Sequence, residues 1–128
     1  MLFRSVHAIR TAPEPVAAEA VAILIELPVL VRDSRAVSAL VSRSVKVSTD
    51  ALRLSLARGL QEMADKAVEA DCRKMLDALK DGAGMDRLLA MAGLCAVLDR
   101  ACAGKADDFN KRCGEAGAYG TVKAAVEQ

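Results

Sequence analysis

The sequence predicts an all-α fold made of stacked helices, and three observations carry that expectation. Among 128 residues, 53% are hydrophobic, yet there are only two Phe, one Tyr and no Trp, so burial falls to 25 Ala, 15 Leu and 13 Val. Small side chains of this kind favour helices packed closely on one another over sandwiches or barrels. All three prolines (Pro13, Pro15, Pro28) precede residue 29 and all eight glycines follow residue 58, which leaves the last hundred residues free of helix-breaking proline. The chain also matches itself at an offset of 46: Met63 to Lys80 lies over Phe109 to Val126, aligning Lys66 with Arg112, Glu69-Ala70 with Glu115-Ala116, and Leu76 with Val122.

Each element has a local signal. Residues 1–12 read as a flexible N-terminal segment, and 13–128 as the folded domain. Pro15 suits the first turn of a helix from Val16 to Leu27, which Pro28 ends. Val37, Leu40, Val41 and Val45 mark a short second helix. Ser48, Thr49 and Asp50 offer cap oxygens before the stripe Leu52, Leu56, Leu60 and Met63, and Gly59 suggests a break in the helix that follows. That helix resumes through Cys72, Met75, Leu76 and Leu79 and stops at Asp81-Gly82-Ala83-Gly84. From Met85 to Cys102 the pattern is oily on every side between Leu88 and Leu98, which predicts a helix covered on more than one face, with Leu88, Ala92, Cys95 and Leu98 among the most buried positions. Gly93 within it would admit a close helix contact. Gly104 closes it, Asp107 or Asp108 caps a short helix ending at Gly117, and a last helix begins at Ala118 and reads as cut at Gln128.

Charge and chemistry exclude more than they assign. With 18 basic and 17 acidic side chains, the net charge of +1 gives no general grip on nucleic acid, and no nucleic-acid partner is expected. The basic stretch Arg32, Arg35, Arg43, Lys46, Arg53 and Arg58 is the one place an acidic partner could meet. Cys72, Cys95, Cys102 and Cys113 show no metal-ligand spacing and read as free thiols in a reducing compartment. His7, the only histidine, stands apart from them, and no phosphate loop accompanies Gly114, Gly117 and Gly120. No catalytic, cofactor or metal site is expected. No segment is long and apolar enough to insert in a membrane. The basic, acid-free N-terminus fits a mitochondrial presequence, against the cytoplasmic localisation that the thiols favour.

The segment Phe109-Asn110-Lys111-Arg112-Cys113-Gly114-Glu115-Ala116-Gly117-Ala118, preceded by the apolar run Leu88 to Leu98, resembles armadillo-type repeat proteins: a first helix, a Glu-Ala-Gly-Ala turn into the second, and a buried third. The resemblance covers about Val37 to Gln128. It implies a right-handed α-solenoid of two to three three-helix repeats, part of a longer array, that acts as a non-catalytic scaffold for protein partners. Peptide-clamping members of the family resemble one another in an asparagine near the end of the third helix, where this chain has Val97; its only asparagine is Asn110. The expected binding face therefore lies between stacked second and third helices, marked by Lys74, Lys80 and Lys123. The same residues also fit a compact helical bundle serving as a subunit or regulatory domain of a larger, mitochondrial assembly.

Overall fold

The computed structural model describes residues 2–27, 32–82 and 84–128, and every regular element among them is helical. In chain order these are α1 (Leu2–Thr11), α2 (Glu14–Glu26), α3 (Ser34–Ser44), α4 (Asp50–Met63), α5 (Glu69–Asp81), α6 (Arg87–Ala96), α7 (Ala106–Cys113) and α8 (Ala118–Val126). A single 3-10 turn, Ala64–Lys66, follows α4, and a π-helical turn, Val97–Ala101, extends α6.

The ends of these helices follow from their sequence. Pro13 and Pro15 open α2, where a missing N–H costs nothing. It ends at Leu27, in extended conformation; Pro28, the expected stop, lies outside the described residues. Asp33 caps α3 by accepting from the N–H groups of Arg35 and Ala36, and Thr49 Oγ1 caps α4 by accepting from Leu52 N–H. Asp86 does the same for α6 through Leu88 N–H. Gly82 and Gly114 end α5 and α7 in the left-handed region, with φ of 69° and 68°, where glycine escapes the steric penalty of a Cβ. Asp107 and Asp108 stand in the first turn of α7, beside the positive end of its dipole, while Lys105 takes the cap position expected for one of them.

Two expectations are corrected. The helix break lies at residues 64–68 rather than at Gly59, which sits inside α4. A Cβ there would come within 3.1 Å of both Leu40 and Val21 side chains, so Gly59 marks a close approach of α4 to α3 and α2. Residues 2–11, read as flexible, form a helix, because Ile9 and Ser5 bury against the core and α1 packs on α2 and α3.

Helix contacts fall into successions. The series α1, α3, α5, α8 makes one row, each helix touching the next, and α2, α4, α6 makes a second. The 3-10 turn and α7 occupy a third position, the turn against α3 and α7 against α5. Within the second row, neighbouring starts are tied together: Glu14 in α2 holds Ser48 and Thr49 at the start of α4, and Arg53 in the first turn of α4 pairs with Asp86, the cap of α6, at 2.6 Å. The far ends are tied as well, Arg100 donating to Glu62 O at 2.7 Å. These helices therefore run side by side in one sense. At the other end of the chain, Arg87 at the start of α6 donates to Gln128 Oε1, placing the end of α8 near the end of α5, which precedes α6 by a short turn.

The row arrangement explains which side of α6 is open. Leu89, Ala90, Gly93, Leu94, Ala96 and Val97 are buried against α4, α5 and α8. Leu88 is 54% exposed, and Ala92, Cys95 and Leu98 are half-buried, so the expectation that these four are among the most buried is wrong. An oily circumference predicted cover on all sides, but among the described residues α6 packs on α4 in its own row and on α5 and α8 of the other. We expect Leu94→Ala to cost about 2–5 kcal/mol in urea unfolding, whereas Leu88→Ala should stay within about 0.5 kcal/mol of the parent. Equal losses would contradict the assignment of the outward face.

Candidate functional site

The outward face of α6 meets α4 in an open groove of about 400 Å³ lined by Gln61, Leu88, Met91, Ala92, Cys95, Ala96, Asp99 and Arg100. Its floor is apolar because Leu88, Met91, Ala92 and Cys95 recur at spacings of three and four, one side of a helix. Its far end is charged because the π turn carries Asp99 and Arg100 there. Arg100 and Arg32 both stand 3.9 Å from Glu62, so the polar end is held by a cluster rather than by one mobile side chain. Leu54, 62% exposed on α4, and Val16 and Ile23 on α2 add exposed apolar surface on the same row. Burial pushes the Cys95 thiol up, and Asp99 adds to the shift, so the thiol contributes as a small protonated hydrophobe.

The three lysines singled out from sequence are only partly brought together. Lys74 and Lys80 lie on α5 and Lys123 on α8, helices that touch. Lys80 forms two hydrogen bonds to the Glu115 carboxylate, at 2.6 and 2.7 Å, and so ties α5 to the turn before α8. Lys74 and Lys123 are exposed and form no ion pair among the described residues. The basic stretch is mostly spent internally: Arg35 on Asp33, Arg43 on Ile9 O, Arg53 on Asp50 and Asp86, and Arg32 near Glu62. Asn110 is likewise structural, its Oδ1 accepting from Tyr119 N–H at 2.7 Å to hold the start of α8.

The groove itself went unseen in the sequence, although the 88, 91, 92, 95 spacing carried a signal for it. That spacing was hidden because the intervening positions are apolar too. Also unforeseen is a set of arginines that donate to the backbone of neighbouring helices: Arg43 to Ile9 O, Arg73 to Gly114 O, and Arg112 to Asp65 O and Ala67 O. The guanidinium fork suits this because it reaches two carbonyls at once and never loses its charge.

No group of His, Cys, Asp and Glu side chains among the described residues could hold a metal ion. No helix among them is long and apolar enough to cross a membrane. Compared with protein-family models, curated proteins and solved structures, the chain matches none.

One carboxylate is strongly perturbed. Glu14 accepts from the hydroxyls of Ser48 and Thr49 and from their backbone N–H groups, which together lower its pKa from 4.5 to about 2. A group with a depressed folded-state pKa stabilises the fold fully above its unfolded value and loses that contribution as pH falls from about 4.5 toward about 2. Glu14→Gln should therefore flatten the fall in melting temperature across that interval in circular-dichroism melts. A variant whose acid dependence matches the parent's would remove Glu14 from the account.

Proposed function

We propose that this chain is a non-catalytic protein-interaction scaffold, a segment of armadillo-type α-solenoid, that receives apolar side chains of a protein partner along its second helix row. The observation that carries the reading is the equivalence of elements one repeat apart. The offset of 46 in sequence lays the Ala64–Lys66 turn over α7 and α5 over α8. Contacts follow the same shift, since the turn packs on α3 as α7 packs on α5, and α3 packs on α5 as α5 packs on α8. In this reading α1, α3, α5 and α8 are second helices and α2, α4 and α6 third helices, with the first helix of the middle unit reduced to a single 3-10 turn.

Stacking of this kind is favoured because no unit can cover its own apolar face, while successive units bury one another and leave an extended outer surface. Contiguous exposed apolar side chains are uncommon on a surface without an interaction role. The groove on α6 offers Leu88 and Met91 for packing, with Gln61, Asp99 and Arg100 to fix orientation. Methionine suits such a surface because its flexible thioether adapts to the shape of what it meets. The chain's single asparagine, Asn110, lies on α7 and not on this face, where it could clamp an extended peptide backbone.

The test is a partner captured by the parent chain and then measured against two variants. Leu88→Glu, at a position that is 54% exposed, should weaken binding at least about tenfold while leaving the circular-dichroism spectrum and melting temperature intact. Charge reversal at Lys74, Lys80 and Lys123 should have a smaller effect. The opposite ranking would move the site to the face between α5 and α8, and full binding by both variants would defeat the scaffold reading.

A further inference from the structure

The last turns of α1 and α3, the start of α2 and the loop before α4 enclose a second cleft, of about 700 Å³. It shares no lining residue with the groove on α6. Its cations are Arg10, Arg43 and Lys46, its apolar part is Val45 and Val47, and Glu14 is the one carboxylate in its lining. Each cation is placed by a bond that leaves its charge unpaired. Arg10 donates from Nη1 to Ser42 Oγ on α3, and Arg43 donates from Nη1 to Ile9 O on α1, both at 3.2 Å. These two cross-links fix the ends of α1 and α3 against each other. Lys46 N–H donates to Arg43 O at 2.8 Å, a tight turn that keeps Lys46 beside Arg43.

Among the described residues none of the three cations forms an ion pair, and Arg43 Nε has no acceptor. Glu14 does not neutralise them, because it is taken up by Ser48 N–H at 2.9 Å, Ser48 Oγ at 2.6 Å and Thr49 N–H at 2.7 Å. A basic residue in the last turn of a helix answers the negative end of its dipole, which accounts for Arg10 and Arg43 one at a time. Gathering three like charges in one cleft nonetheless costs repulsion that no carboxylate of the fold offsets.

We propose that this cleft docks an acidic peptide segment of a protein partner, its carboxylates pairing with Arg10, Arg43 and Lys46 and an apolar side chain packing on Val45 and Val47. Val45 is 46% exposed and open to such a contact. Guanidinium groups suit carboxylates because the planar fork meets both oxygens at once. A phosphate cradle, by contrast, needs converging hydroxyl and backbone N–H donors. Those of this cleft are spent, since Thr11 Oγ1 donates to His7 O at 2.9 Å and Ser48 donates both its groups to Glu14. No aromatic side chain lines the cleft for stacking on bases. Three cations and two valines match acidic and apolar side chains carried along an extended chain.

The experiment titrates the whole chain into a fluorescent peptide of alternating glutamate and leucine, read by anisotropy. Its glutamine counterpart and an oligothymidylate serve as competitors. The glutamate peptide should bind, more weakly as salt rises, and the glutamine peptide should not displace it. Arg10→Glu with Lys46→Glu, both at exposed positions, should weaken binding at least about tenfold with the helical circular-dichroism spectrum retained. Lys46→Glu alone, at a side chain with no bond within the fold, should already weaken it about threefold, so the test does not depend on the loss of the Arg10–Ser42 bond. Leu88→Glu, in the other groove, should bind as the parent does. No binding, equal binding by the two charge variants, displacement by the glutamine peptide, tighter binding of the oligothymidylate, or loss of binding on Leu88→Glu would each overturn the proposal. Failure here leaves the reading of the α6 groove standing, because that reading rests on other residues and other variants.

Discussion

The arrangement depends on how closely α4 can be approached. A core made of alanine, leucine and valine fills little space between helices, so their axes must come near if voids are to be avoided. At Gly59 the missing Cβ lets Leu40 from α3 and Val21 from α2 press against the backbone of α4, each within 3.1 Å of where a Cβ would stand. Gly93 repeats the device on α6, where Met75 from α5 fills the place of a side chain. With these two contacts set, neighbouring helices have their spacing, and α4 and α6 meet beside an open groove.

Packing supplies cohesion but little direction, and direction comes from polar ties. Apolar surfaces slide; a guanidinium over a carbonyl does not. Arg43 on Ile9 O, Arg100 on Glu62 O and Arg112 on the carbonyls of Asp65 and Ala67 each pin one helix or turn to an earlier one. Inside the core, Ser38 Oγ donates at 2.6 Å to Asp71, a buried carboxylate at the start of α5, and so fixes α3 against α5 at a defined height. The register of the rows is thus carried by a few polar side chains set among many interchangeable apolar ones.

What the sequence made legible was local. Thr49 as a cap and Gly82 and Gly104 as helix stops depend on residues a few positions apart, where backbone chemistry is decisive, although the short helix expected to end at Gly117 stops earlier, at Cys113. The helical class followed from composition for a related reason. Facing was less legible, because α6 is apolar around its circumference and periodicity can distinguish sides only when some are polar. Lys80, expected on a partner-binding face, is also engaged by Glu115, a contact across 35 positions that local spacing does not signal. The burial of Ile9 in α1 is likewise a tertiary fact with no short-range signature.

The cap of α4 is built from more than one helix. Thr49 Oγ1 accepts from Leu52 N–H while donating to Glu14, so the first turn of α4 is ordered by a side chain that arrives from α2. Arg53 then passes the arrangement on, since it anchors the Asp86 that caps α6. Helix initiation is the costly step in forming a helix, and here it is shared among neighbours in series. A row built this way has strong nearest-neighbour coupling: the nucleus of each helix is partly supplied by the one before, so disorder in α2 would be transmitted to α4 and α6 instead of remaining a frayed end.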